Sequence, residues 1–158
     1  WIRHVMAERS SDPDAIREAV ATGAEESLRA GTTTLVDITA TGHSLAPLMA
    51  SPIRKRVHFE TLGFDKARTE QSLREVRSRL ADAEQDDLTT VGVSPHAPYS
   101  TSETLYRECA RMQAEDGVPT TSHVAETVEE EVEEEKSPQK GLDNAAEESG
   151  GGGTFPIS

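Results

Sequence analysis

Short runs of β-branched and apolar residues alternate along the chain with longer segments whose apolar positions recur at helical spacing. Each short run is bounded by turn residues or by the start of a helical pattern. We therefore predict four β-strands, at residues 32–39, 56–64, 91–94 and 119–124.

Three longer segments predict amphipathic helices. The first has Asp12 as its N-cap and ends at Gly31. The second covers residues 66–84, with apolar side chains on one face and charges elsewhere. The third begins at Ser100, which with Glu103 has the spacing of a capping box.

The predicted strands are apolar on both faces, which is typical of parallel strands buried between helices. The pattern therefore predicts an α/β fold with a helix-covered sheet, either doubly wound or a segment of a (β/α)-barrel. After Thr127 the pattern ends. Residues 128–136 are almost all glutamate, and residues 149–153 include a run of glycines, so we expect a solvated and flexible end.

Composition narrows the classes of partner. The net charge of −13 and the pI of about 4.7 weigh against nucleic acid or an anionic membrane. No apolar run approaches the roughly 20 residues of a membrane span. The single cysteine, Cys109, excludes an internal disulfide and a cysteine-based metal site. We expect a cytoplasmic protein without a nucleic-acid or membrane partner.

His96 follows the third predicted strand, in the segment GVSPHAPYS. Strand alternation places Gly92, Ser94 and His96 on one face and Val91 and Val93 on the other. The polar face suits a barrel lumen, and the valines suit a helix layer. A histidine at this rim could bind substrate or transfer protons. A loop histidine with a purely structural role is the alternative that the residues leave open.

His123 ends the fourth predicted strand, and Glu126 follows three residues later in HVAET. A neutral imidazole can bind a divalent metal, and a carboxylate beside it can move protons to and from a metal-bound water. A catalytic zinc ion needs about three protein ligands. On the residues alone, a structural role is the simpler interpretation of His123.

We predict structural roles for three other titratable residues. His58 is expected in the core or an interface, and Cys109 on the apolar stripe of its helix. Asp37 lies inside a buried strand and needs a hydrogen-bond partner.

Three blocks of sequence, taken together, resemble the amidohydrolase superfamily. They are AGTTTLVDIT at residues 30–39, GVSPHAPYS at residues 92–100 and HVAET at residues 123–127. The nearest branch is that of the metal-dependent deaminases and chlorohydrolases of the triazine hydrolase, guanine deaminase and S-adenosylhomocysteine deaminase type. The resemblance covers about residues 1–135.

The resemblance implies a hydrolase with a (β/α)8 TIM barrel, in which one zinc ion, or alternatively iron, activates a water that displaces ammonia or chloride from a heterocycle. It implies that His123 is a metal ligand, that Glu126 contacts substrate and shuttles protons, and that His96 orients the substrate. It also implies that residues 1–135 form about strands two to five of the barrel with their helices, and that residues 136–158 are a divergent tail.

The chain departs from the family pattern in ways that matter. The His-x-His pair of the first barrel strand, the histidine of the sixth and the aspartate of the eighth have no counterpart, and Thr121 stands where histidine is common. We therefore expect an internal fragment with an incomplete metal-ligand set. Because its barrel edges are exposed, we expect marginal stability, a molten state or self-association. An inactive truncated product that folds against a partner, and an unrelated α/β hydrolase or binding module, stay open as alternatives.

Overall fold

The computed structural model describes residues 12–125, and all structural statements below refer to them. The chain divides into two compact units, of which the second begins at His123. The elements of the first unit follow in chain order: α1 (Pro13–Arg29), β1 (Thr34–Thr39), α2 (Leu45–Met49), β2 (Arg54–Thr61), α3 (Lys66–Asp82), β3 (Thr89–Pro95) and α4 (Glu103–Asp116).

The three strands form one parallel sheet in the order β1-β2-β3. The register places Ile38, His58 and Gly92 in one row across the sheet and Thr39, Phe59 and Val93 in the next. Parallel strands joined by helices confirm the α/β class that the sequence pattern predicts.

The start of α1 agrees with its prediction. Asp12 is the N-cap, and its Oδ1 accepts a hydrogen bond of 3.1 Å from the backbone N–H of Asp14. The helix ends at Arg29 with Ala30 as its C-cap, and Gly31 then turns the chain with a φ of +90°. Glycine adopts this conformation without the strain that a Cβ would bring.

The predicted capping box at the start of the third long helix is wrong. Helix α4 begins at Glu103, and Ser102 is its N-cap, with Oγ accepting from Leu105 N–H at 3.3 Å. Backbone pairing explains the shift, because Gly63 N–H donates to Ser100 O at 3.1 Å and Ser102 N–H donates to Gly63 O at 2.8 Å. The segment 100–102 thus runs beside the end of β2, and the helix starts only after it.

The predicted strand at residues 119–124 is also not formed within the described residues. An isolated parallel bridge pairs Thr120 with Val93. Val93 N–H donates to Pro119 O at 2.9 Å, and Thr121 N–H donates to Val93 O at 3.2 Å. The segment therefore lies beside β3 in the expected direction but makes too few ladder bonds to be a strand.

The helix-facing side of the sheet forms the core. One buried cluster joins the strands to α3 and α4, and its members are Phe59, Val76, Val91, Val93, Leu105, Cys109 and Met112. A second cluster joins Val57 to Ala24 of α1 and Leu48 of α2. Burial raises the pKa of the Cys109 thiol to about 12, as expected of a core cysteine.

Within residues 12–125, no helix combines the length and the apolar character that crossing a membrane requires.

Candidate functional site

The polar face of the sheet is the side opposite the helices. Because Val57, Phe59, Val91 and Val93 face the helix layer, the residues that alternate with them face the other way. These are His58 and Glu60 of β2 and Gly92 and Ser94 of β3, paired as His58 with Gly92 and Glu60 with Ser94.

His96 lies directly beyond β3, at the carboxyl end of the sheet. Its backbone N–H donates to Thr61 O at 3.0 Å, which continues the pairing of β3 with β2 by one step. The imidazole is half-buried. Its Nδ1 lies 2.7 Å from Ser100 Oγ, and the ring of Tyr99 packs edge-on at 5.7 Å between centroids. The ring is therefore held on two sides at the strand end.

Glu60 is the site residue that sequence reasoning missed. A carboxylate oxygen of Glu60 and a ring nitrogen of His96 lie within 4.8 Å of each other. The sequence places Glu60 on the same strand face as His58, two residues away, but does not show that this strand lies beside His96.

His58 is buried in the polar face, with 3% of its surface exposed. Burial lowers the pKa of His58, and the charge of Arg56 lowers it further. Its Nδ1, like Ser94 Oγ, has no hydrogen-bond partner among residues 12–125. The imidazole packs over Gly92, so His58 is buried as expected, but on the face opposite the helix-facing core.

Asp37, which is half-buried, has a structural hydrogen-bond partner. Its Oδ2 accepts a 2.6 Å hydrogen bond from Ser44 Oγ, which lies in the loop before α2. This contact ties that loop to β1 and uses the carboxylate in the fold.

The chain is anchored immediately before His123. Ser122 Oγ donates to His96 O at 3.1 Å and lies 2.8 Å from the hydroxyl of Tyr106 in α4. His123 follows as a half-buried residue and begins the second unit. Glu126 lies outside the described residues.

The fold and the site together define the class of this protein. It is a parallel α/β unit with a fixed histidine at the carboxyl end of a strand. The profile of the Amidohydrolase family matches residues 1–150. The chain therefore belongs to the amidohydrolase family. The match, together with the two deaminases described next, confirms the predicted superfamily and its deaminase side.

Two characterised relatives are deaminases. The chain is 32% identical over 141 residues to the 5'-deoxyadenosine deaminase of Methanopyrus kandleri, covering 86% of this chain and 32% of that protein. It is 28% identical over 136 residues to the 5-methylthioadenosine/S-adenosylhomocysteine deaminase of Thermococcus kodakarensis, covering 82% and 32%. The chain thus spans about a third of the length of these relatives.

Two solved structures share its fold. An atrazine chlorohydrolase from Arthrobacter aurescens, complexed with zinc, superposes with a TM-score of 0.71 at 15% identity, over 93% of this chain and 39% of that one. An adenosine deaminase from Xanthomonas campestris with bound zinc gives 0.70 at 18% identity, over 87% and 33%.

Proposed function

We propose that the chain is part of a metal-dependent amidohydrolase that removes an amino or chloro substituent from a heterocyclic substrate by hydrolysis. The observation that carries the proposal is His96, held by Ser100 at the carboxyl end of β3 with the carboxylate of Glu60 within 4.8 Å. A rim histidine beside a carboxylate suits the binding of a polar heterocycle. The named deaminase relatives support the substrate class.

Three residues carry the proposed roles. His96 orients the substrate, Glu126 contacts it and shuttles protons, and His123 is a metal ligand. Imidazole and carboxylate groups are ligands that zinc accepts, and iron is the alternative metal. Bound at His123, zinc would supply an activated water. The hydrogen bond from Ser122 to His96 O supports these assignments, because it fixes the chain one residue before His123.

The same proposal extends to the architecture. Strands β1, β2 and β3 would be barrel strands two to four, and residues 119–124 would belong to the fifth, which the bridge between Val93 and Thr120 supports. Residues 1–135 would form this barrel segment, and residues 136–158 a divergent tail. We further propose a cytoplasmic protein that binds a small molecule and neither nucleic acid nor membrane.

An inactive product that needs a partner to fold is the second candidate. Val36 favours it, because 62% of this β1 side chain is exposed on the face opposite the helices. A barrel would bury that face among inward-pointing side chains. Self-association through this edge belongs to the same candidate.

Metal content tests the proposal. The purified chain is equilibrated with zinc, freed of excess and analysed for bound metal, alongside His123→Ala and the loop control His43→Ala. Stoichiometric zinc that is lost only in His123→Ala would support the role of His123 in this molecule. Zinc absent from the parent chain, or retained equally by both variants, would overturn the role of His123 in this molecule. Release of ammonia from 5'-deoxyadenosine by the zinc-loaded chain would then test the deaminase activity itself.

A further inference from the structure

The backbone of His96 is fixed on its amino side by the sheet. Its N–H donates to Thr61 O of β2 at 3.0 Å. Pro95 and Pro98, on either side of His96, have no N–H and cannot extend this pairing. Because the side chain leaves the backbone between two peptide groups, the direction of the imidazole is fixed only when the carbonyl side is held as well.

The carbonyl side of His96 is held by a residue that lies 26 positions later in the chain. Ser122 Oγ donates to His96 O at 3.1 Å. Pro95 and Ala97, which flank His96, are both less than 2% exposed. Water is therefore poorly placed to replace this hydrogen bond when the serine hydroxyl is removed.

Ser122 is itself held from two directions. The segment that carries it pairs with β3, because Val93 N–H donates to Pro119 O at 2.9 Å and Thr121 N–H donates to Val93 O at 3.2 Å. From the other direction, the hydroxyl of Tyr106 in α4 lies 2.8 Å from Ser122 Oγ. The position of the serine oxygen is therefore set by the sheet on one side and by the helix layer on the other.

We infer that Ser122 is a positioning residue for His96, with Tyr106 as its support. Neither residue has to touch the substrate, because both act through the main chain of His96. The inference deepens the proposed function and rests on it for one consequence. A heterocycle that His96 orients binds more weakly once the carbonyl side of that histidine is released.

Amide hydrogen exchange tests the inference without metal or substrate. The reporter is the N–H of His96, whose bond to Thr61 O breaks when the strand end opens locally. The reference is the amide of buried Val57, in the central strand of the described sheet. Ser122→Ala is expected to speed exchange at His96 roughly two- to tenfold more than at Val57, the factor that corresponds to one lost hydrogen bond. Ser122→Thr, which keeps a hydroxyl, should restore the ratio of the parent chain.

Two further substitutions separate positioning from folding. Ser102→Ala is the matched control, because it removes another serine hydroxyl, the N-cap of α4. Loss of a helix cap lowers the stability of the fold, so the ratio of exchange at His96 to that at Val57 should stay as in the parent chain. Tyr106→Phe keeps the ring and removes the hydroxyl beside Ser122, and it should raise exchange at His96 selectively.

Exchange that rises in Ser122→Ala by the same factor at His96 and at Val57 would overturn the positioning role, because the hydroxyl would then act on the whole fold. If Ser122→Ala does not fold, the same comparison in Tyr106→Phe decides the question, since the inference requires a selective rise in both variants.

Binding of 5'-deoxyadenosine to the zinc-loaded chain, measured by calorimetry, extends the test to the proposed function. The dissociation constant should rise by a similar factor in Ser122→Ala and recover in Ser122→Thr. A parent chain that does not bind this compound would count against the proposed function, whereas the exchange rates judge the role of Ser122 separately.

Discussion

Gly92 is the residue on which the contact between β3 and its neighbours depends. A Cβ at this position would lie 2.3 Å from Pro119 O and 2.6 Å from Cδ2 of His58. Pro119 O is fixed by the bond from Val93 N–H, and His58 is buried. Both neighbours of Gly92 are therefore hard to displace.

We expect Gly92→Ala to lower the free energy of unfolding by about 1–3 kcal/mol, the usual cost of overpacking a core. Urea unfolding followed by circular dichroism measures it. Gly23→Ala is the matched control, because a Cβ there meets no atom within 4 Å in the interior of α1. Gly23→Ala should raise the free energy of unfolding by about 0.5–1 kcal/mol. Equal effects of the two substitutions would contradict the close packing at Gly92.

His58 makes stability depend on pH in a defined direction. Burial and Arg56 hold its pKa below the unfolded value of 6.5, while the nearby charge of Asp37 acts in the opposite sense. Below pH 6.5, His58 binds a proton in the unfolded chain but stays neutral in the folded chain until the pH reaches its lowered pKa. The contribution of neutral His58 is therefore full above pH 6.5 and is lost as the pH falls toward the lowered pKa.

We expect the free energy of unfolding to decrease from pH 7 to pH 5 more steeply in the parent chain than in His58→Asn, which cannot titrate there. Denaturant midpoints across this range measure the two slopes. His43→Asn, in the loop after β1, is the control for the loss of a histidine as such. Identical slopes in the parent and His58→Asn would show that the pKa of His58 is not lowered by folding.

At the scale of elements, the sequence pattern predicted those helices and strands whose positions depend on interactions within the same segment. Helix α1 starts at its predicted cap because the Asp12 carboxylate can reach a free backbone N–H two residues away. Helix α3 covers Lys66–Asp82, within two residues of its predicted end, because its apolar stripe alone defines it. The β-branched runs also give β1 and β3 to within about two residues, whereas β2 is Arg54–Thr61 and begins two residues before, and ends three residues before, its predicted bounds.

The start of α4 could not be predicted from local pattern. Ser100 and Ser102 both precede glutamate-containing helix sequence, and the spacing favours Ser100. The backbone of Gly63, nearly 40 residues earlier, determines where the helix begins, because it pairs with Ser100 and Ser102. The same long-range contact leaves the Ser100 side chain to His96. Spacing within a helix carries no information about such a partner.

The candidate site was predictable in part for the same reason. His96 and the face shared by Gly92 and Ser94 followed from strand alternation, which the register with β2 supports. To predict Glu60 as a site residue, one must know that β2 is the neighbour of β3 and that the two strands end together. Sequence position gives the face of a strand residue but not the strand beside it.

At the scale of the whole molecule, β1 presents an exposed apolar side chain at an edge of the described sheet. Among the described residues β1 is the edge of the sheet, and Leu35 packs into the core while Val36 is 62% exposed. An apolar side chain on an edge strand favours pairing with another chain unless a charge blocks it. The proposed self-association therefore has a specific location to test.

We expect the parent chain to associate as its concentration rises and Val36→Lys to shift that association to at least about tenfold higher concentration, since each 1.4 kcal/mol of lost contact is a factor of ten. Sedimentation velocity over a dilution series measures it. Ala21→Lys adds the same charge on the exposed side of α1 and should associate like the parent. A parent chain that stays monomeric throughout would refute self-association. If both lysine variants weaken it equally, the cause is net charge, and the β1 face is not the contact.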